Sequence, residues 1–155
     1  MAPGEAFPKA KAAAEKALQI DPNLAEAHVS LAYMRQNYDW DLASAETEFK
    51  QAIELNPNYA TAHAWYALNL AVTQRYSEAI AEAKKAQEVD PLSLIINTNV
   101  AWVFYFARQY DEMLSQCQRT LELDPNFATT HTGAWDKPIG RKRCISRRSP
   151  NSKRP

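Results

Sequence analysis

A comb of prolines constrains this chain more than any other feature. Four short segments recur: Ala17-Leu18-Gln19-Ile20-Asp21-Pro22, Ala52-Ile53-Glu54-Leu55-Asn56-Pro57, Ala86-Gln87-Glu88-Val89-Asp90-Pro91 and Thr120-Leu121-Glu122-Leu123-Asp124-Pro125, with prolines 35, 34 and 34 residues apart. Proline disfavours helical geometry in its predecessor and cannot donate the bond a continuing helix needs, so each Asp/Asn-Pro step ends a helix. Between the steps, apolar residues return every three or four positions: Leu31 and Ala32 then Ala45, Phe49 and Ala52; Tyr66, Ala67 and Leu70 then Tyr76, Ala79, Ala83 and Ala86; Val100, Ala101 and Phe104 then Tyr110, Met113, Cys117 and Thr120. Each unit therefore reads as two amphipathic helices. One such unit cannot bury its apolar face alone, whereas three stacked units can. The expected fold is an all-α solenoid of antiparallel helix pairs.

These residues and their period resemble the tetratricopeptide repeat (TPR) family, a 34-residue helix–turn–helix unit. The resemblance covers three full repeats, residues 25–59, 60–93 and 94–127, with partial repeats at 5–24 and 128–135. The first partial repeat contributes a lone second helix at about Pro8–Ile20. The family fold implied is a right-handed superhelix, and the family's role is protein–protein interaction. Ala32, Ala67 and Ala101 stand where the family usually has glycine, and His28, His63 and Asn97 where tryptophan is common. The first full repeat is one residue long, and the extra residue is expected within Tyr38-Asp39-Trp40-Asp41, in the turn between its helices. That stretch, with Leu55-Asn56-Pro57-Asn58-Tyr59-Ala60-Thr61-Ala62-His63, is also similar to repeat regions attached to bacterial signalling proteins such as winged-helix transcription regulators, nucleotide cyclases and Ser/Thr kinases. The output machinery of those proteins is not visible here, and the chain reads as a fragment of such a larger protein.

Composition narrows the function classes. Glycine occurs only at Gly4, Gly133 and Gly140, so residues 5–132 hold no Gly-rich phosphate loop, nucleophile elbow or tight hairpin. Cys117 and Cys144 have no partner at metal or redox spacing. No apolar run is long enough for a membrane span, and Met1-Ala2-Pro3-Gly4-Glu5 lacks the basic and apolar regions of a signal peptide, so cytoplasm is the expected compartment. The formal charge is zero, from 18 Lys and Arg against 18 Asp and Glu. That balance hides two unlike parts: residues 1–135 carry 10 basic and 17 acidic side chains, and residues 136–155 carry 8 and 1. The acidic repeat region thus ends in a basic tail without helical periodicity, expected to be disordered or not a native continuation.

Clusters of reactive residues read as structural. His28, His63 and His131 all occupy the fourth place of a first helix, and equivalent places in adjacent repeats lie on the order of 10 Å apart, too far to share a zinc ion. Cys117 falls on the inward stripe of a second helix and is expected to be a buried, inert thiol. Asp39, Asp41, Glu46 and Glu48 crowd one helix start, where acidic residues favour the dipole, and are expected to cap it in solvent. No nucleophile–base pair or metal set is found, so neither an enzyme nor a cofactor is expected.

In the TPR family the concave face comes from the second, fifth, ninth, twelfth and thirteenth places of each first helix. By this resemblance the groove comprises Glu26, Val29, Tyr33, Gln36 and Asn37; Thr61, Ala64, Leu68, Ala71 and Val72; and Ile95, Thr98, Trp102, Tyr105 and Phe106. It grows more apolar toward the C-terminus, where Trp102, Tyr105 and Phe106 form an aromatic shelf. The function implied is a scaffold that holds a peptide, a helix or a neighbouring domain. The competing reading is a nucleic-acid-binding helical repeat, or binding of nucleic acid through the basic tail. Such a reader needs a basic groove, and the groove places carry no Lys or Arg. Apolar surface near the last full repeat also leads us to expect self-association through the repeat ends.

Overall fold

A computed structural model of the chain describes residues 3–124 and 127, with side chains from residue 7 onward. Seven α-helices and no strand are found among the described residues: α1 (Pro3–Ile20), α2 (Ala25–Met34), α3 (Leu42–Leu55), α4 (Ala60–Val72), α5 (Tyr76–Val89), α6 (Leu94–Phe106) and α7 (Tyr110–Leu123). None of them is long and apolar enough to cross a membrane. Helix α1 is longer than the sequence period suggests and runs through Pro8. Sequential helices pack pairwise along the whole array, and α2 also packs on α4 and α4 on α6. The first helices α2, α4 and α6 therefore form one layer. The second helices α1, α3, α5 and α7 form the other.

The proline steps behave as turns with their own hydrogen bonds. At the first two, the side chain of Asp21 accepts the Asn23 N–H at 2.9 Å and that of Asn56 accepts the Asn58 N–H at 3.2 Å, closing the turn locally. The chain then re-enters a helix, with Tyr59 N–H donating to the Asn56 carbonyl at 3.1 Å. Small residues let the layers approach: Ala32, Ala45, Ala52, Ala67, Ala79, Ala86 and Ala101 are buried together with Phe49, Leu70 and Val100 in one core cluster spanning the repeats.

The turn from first to second helix shows how the one-residue insertion is absorbed. In the second and third full repeats the chain leaves the first helix through a left-handed residue, Gln74 (φ 64°) and Arg108 (φ 59°). The next N–H reaches five residues back, Arg75 to the Leu70 carbonyl and Gln109 to the Phe104 carbonyl, both at 2.9 Å. In the first full repeat Trp40 (φ 57°) is the left-handed residue, and Asp41 N–H reaches six residues back to the Arg35 carbonyl at 3.0 Å. The extra residue is thus wound into a π-helical turn, Arg35–Asp39, at the end of the first helix, not left as a loop in Tyr38–Asp41. A wider helical turn keeps backbone hydrogen bonds that a bulging loop would surrender to water, and the exit at Trp40 stays in register with Gln74 and Arg108.

The crowded carboxylates are not a set of solvated caps. Asp41 does cap α3, accepting the Ser44 N–H at 3.0 Å, and the hydrogen bonds from Ser44 hold its carboxyl below the usual range. Glu46 instead binds Lys50 at 2.7 Å, Arg75 at 2.7 Å and the Tyr66 hydroxyl at 3.0 Å, joining α3 to α4 and to the turn before α5. Glu48 binds His28 at 2.5 Å and Arg35 at 2.8 Å, and Asp39 binds Lys11 of α1. Their partners were invisible to local sequence reading because most lie some 13 to 29 residues away along the chain. The thiol of Cys117 is only half-buried, packed against the edge of the core. His131, Cys144 and the basic tail lie outside the described residues.

Candidate functional site: the face of the first helices

The side chains assigned to the groove are sorted by how many neighbours each first helix has. Helix α2 packs on α1, α3 and α4, and α4 packs on α2, α3, α5 and α6, so little of either circumference stays open. Val29, at the fifth place of α2, is consequently a core residue, 2% exposed, as are Ala64 and Ala71 on α4. This corrects their assignment to an open groove surface. No further described first helix covers α6, and its fifth-place Thr98 stays half-open, with its hydroxyl donating to the Leu94 carbonyl at 2.7 Å.

The remaining places keep some surface. Glu26 and Asn37 are exposed, and Tyr33, Gln36, Thr61, Leu68, Trp102 and Tyr105 are half-buried. The Asn37 side-chain N–H donates back to the Tyr33 carbonyl at 3.0 Å, while the Gln36 Oε1 is buried with no hydrogen-bond partner. Val72 is 44%, Ile95 58% and Phe106 37% exposed. Those three are the exposed large hydrophobic side chains of α4 and α6, and all fall at groove places. Scattered apolar residues on a surface are ordinary; apolar residues that all fall on one face of one layer are a candidate contact surface.

The aromatic shelf is assembled as a unit. Trp102 meets Tyr105 edge-on at 5.6 Å between ring centroids and Phe106 at 6.1 Å, and Tyr105 meets Phe106 at 5.9 Å. Tyr110, the first residue of α7, extends it with an edge contact to Tyr105 at 6.2 Å. Ring pairs of this geometry restrain one another's rotamers, so the shelf offers a rigid apolar platform. Its spacing follows from one helix: residues 102, 105 and 106 stand on one side of α6 at three- and four-residue steps.

Two residues of this face escaped the sequence reading. Trp65, at the sixth place of α4, packs on Tyr33 of α2 at 4.5 Å between centroids, so the seam between these two first helices is aromatic as well. Asn99, at the same place of α6, has its side-chain Nδ2 buried without a partner. Both lie one helical turn before a ninth-place residue, Leu68 and Trp102, a signal that the 34-residue register does contain. The face is acidic at one corner only, where burial and the nearby charge of Glu26 push the Tyr59 phenol above its ordinary range. No group of His, Cys, Asp and Glu able to hold a metal ion is found among the described residues.

With this architecture established, solved structures offer a comparison. TTC0263, a thermophilic TPR protein from Thermus thermophilus, is similar with a TM-score of 0.72 at 21% identity, covering 81% of this chain and 69% of that one. MamA is similar with a TM-score of 0.66 at 19% identity, covering 79% of this chain and 71% of that one. The fold is TPR-like. No family model matches the sequence, and no curated protein matches it. At these identities the TPR-like likeness is one of fold.

Proposed function

We propose that this chain is a non-catalytic interaction scaffold that holds a protein ligand on the face of its first helices. The observation that carries the reading is that the exposed apolar side chains of α4 and α6, Val72, Ile95 and Phe106, fall at groove places of the same helices that carry the Trp102–Tyr105–Phe106 shelf. Its fittest ligand is an amphipathic helix or extended peptide whose apolar side chains seat on Leu68, Val72, Trp102, Tyr105 and Phe106. Rigid aromatic platforms anchor such ligands at little entropic cost. Polar places toward α2, Glu26, Gln36, Asn37 and Thr61, would set selectivity, with Thr98 on the helix that carries the shelf and Tyr33 packed on Trp65 of α4. A neighbouring regulatory domain, the kind of partner that the resemblance of Tyr38–Asp41 and Leu55–His63 implies, is one proposed source of the ligand.

A nucleic-acid reader is the weaker reading, because a strand tracked along this face would meet Glu26 and no cation at the groove places. The test is peptide selection on the wild-type chain followed by affinity measurement on variants. Trp102→Ala with Tyr105→Ala is expected to lower the affinity of selected peptides at least roughly tenfold. Unchanged affinity in the double variant would remove the groove assignment.

A further inference from the structure

The turns from first to second helix carry three arginines, and two of them are held inside the array. Arg35 pairs with Glu48 at 2.8 Å, and Arg75 pairs with Glu46 at 2.7 Å and with Glu78 at 2.5 Å. The third, Arg108, is exposed, and its side chain makes no hydrogen bond or ion pair among the described residues. The difference is legible in the sequence. Gln74-Arg75 and Arg108-Gln109 are the same two residues in opposite order, at matching places of consecutive repeats. Gln74 and Arg108 take the left-handed place, and Arg75, one place later, reaches the carboxylate of Glu46 on α3. In the next repeat the place of Glu46 is held by Ile80, which packs against the core. No carboxylate therefore stands where Arg75 finds one, and the cation sits one place earlier. Glu112, at the place of Glu78 in the first turn of α7, is exposed and forms no ion pair with Arg108.

The backbone fixes Arg108 beside the aromatic shelf. Its N–H donates to the Tyr105 carbonyl at 3.1 Å, and it lies in the chain between Phe106 and Tyr110, the rings that flank Tyr105 at 5.9 and 6.2 Å. Helix α6 itself has no charged residue, and the groove places of α2, α4 and α6 have no Lys or Arg. A guanidinium is weakly hydrated and presents a planar fork of donors that matches a carboxylate. An apolar platform with one unpaired cation at its rim is complementary to a ligand that carries an acidic side chain next to its apolar anchors.

We propose that Arg108 sets the specificity of the first-helix face, selecting peptides whose apolar anchor on Tyr105 and Phe106 is accompanied by an Asp or Glu side chain. This rests on the reading of that face as a ligand site. In a helical ligand the carboxylate stands three or four residues from the anchor, the spacing that places both on one side. The pair forms at a rim that water reaches, so it adds modestly to affinity and mainly decides which ligand is kept.

The probe is a random peptide library displayed on phage, panned against the full wild-type chain and against Arg108→Gln and Arg108→Glu. Gln74 holds the same left-handed place in the preceding repeat, so Arg108→Gln keeps the turn, and circular dichroism checks the fold of both variants. Peptides kept by the wild type should be enriched in Asp and Glu near their apolar anchors. Arg108→Gln should lose that enrichment, and Arg108→Glu should favour Lys and Arg beside the same anchors. An acidic peptide selected on the wild type should bind Arg108→Gln roughly two- to fivefold more weakly, and its amide version should bind both chains alike. Peptides that weaken with Trp102→Ala and Tyr105→Ala, yet show no acidic enrichment and bind Arg108→Gln unchanged, overturn the proposal and leave the ligand face standing. Peptides insensitive to that double variant remove the ligand face and the proposal with it. A single-stranded oligonucleotide that binds more tightly than any selected peptide, and is lost with Arg108→Gln, assigns the cation to phosphate and overturns the proposal too.

Discussion

At the scale of single residues, the fourth place of each first helix ties three pieces of the chain together. The Nε2 of His63 donates to the Pro57 carbonyl at 2.8 Å while its Nδ1 pairs with Glu82 at 2.6 Å, and His28 does the same with Pro22 and Glu48. In the third full repeat Asn97 donates to the Pro91 carbonyl at 2.9 Å, and Gln87 bridges it to Gln116. A proline step, its following helix and the next second helix are thereby locked by one side chain. His63 is fully buried, so His63→Ala leaves a buried carbonyl and a carboxylate unmatched and is expected to cost about 3 kcal/mol. His63→Asn, which can still reach the carbonyl as Asn97 does, should cost less; urea unfolding of both variants checks the order. The histidine period was legible in the sequence. The matching period of Glu48, Glu82 and Gln116 was equally present, but only a structure shows that two registers on different helices face each other.

Acid sensitivity belongs to this scale too. Burial alone would raise the Glu46 carboxyl, yet the hydrogen bonds from Lys50, Arg75 and Tyr66 outweigh it and hold the group at about 2. A carboxyl depressed in the folded state contributes its stability above its ordinary value of 4.5 and loses it as the pH falls toward about 2. The contribution is at most about 3.5 kcal/mol, since a shift of one unit is worth roughly 1.4 kcal/mol. Urea melts at pH 6 and pH 3 should therefore differ less for Glu46→Gln than for the wild type. An equal acid loss in both would show that the cluster does not hold the repeats together.

At the scale of elements, the missing glycines carry a cost. Gln74 and Arg108 take left-handed backbone that a side chain disfavours, by about 1 kcal/mol or more. Gln74→Gly should accordingly raise stability by roughly 0.5–1 kcal/mol, after the greater freedom of glycine in the unfolded chain is set against the relief. Thermal unfolding measures it, and a fall in melting temperature would contradict the strain. Helix existence and order followed from the proline comb together with the three- and four-residue apolar period between its steps. The π-helical turn at Arg35–Asp39 did not, because a residue count locates an insertion without saying whether a helix widens or a loop lengthens. The groove list failed in the same way at Val29: a fixed set of places ignores how many neighbours a given first helix has.

At the scale of the whole molecule, the proposed function makes the layer of first helices the ligand face and the layer of second helices its support. The exposed apolar side chains of α4 and α6, Val72, Ile95 and Phe106, all fall at groove places, and Phe106 belongs to the shelf with Trp102 and Tyr105. A solenoid built from repeated local contacts transmits little between distant repeats, so truncating the shelf should leave the fold intact. Trp102→Ala is therefore expected to weaken ligand binding while the helical signal is retained. The most direct test is nuclear magnetic resonance mapping with a peptide selected on the wild-type chain. Binding on the first-helix face predicts shifts concentrated at Leu68, Val72, Thr98, Trp102, Tyr105 and Phe106. Shifts confined to α5 and α7, with those six residues unmoved, would contradict it.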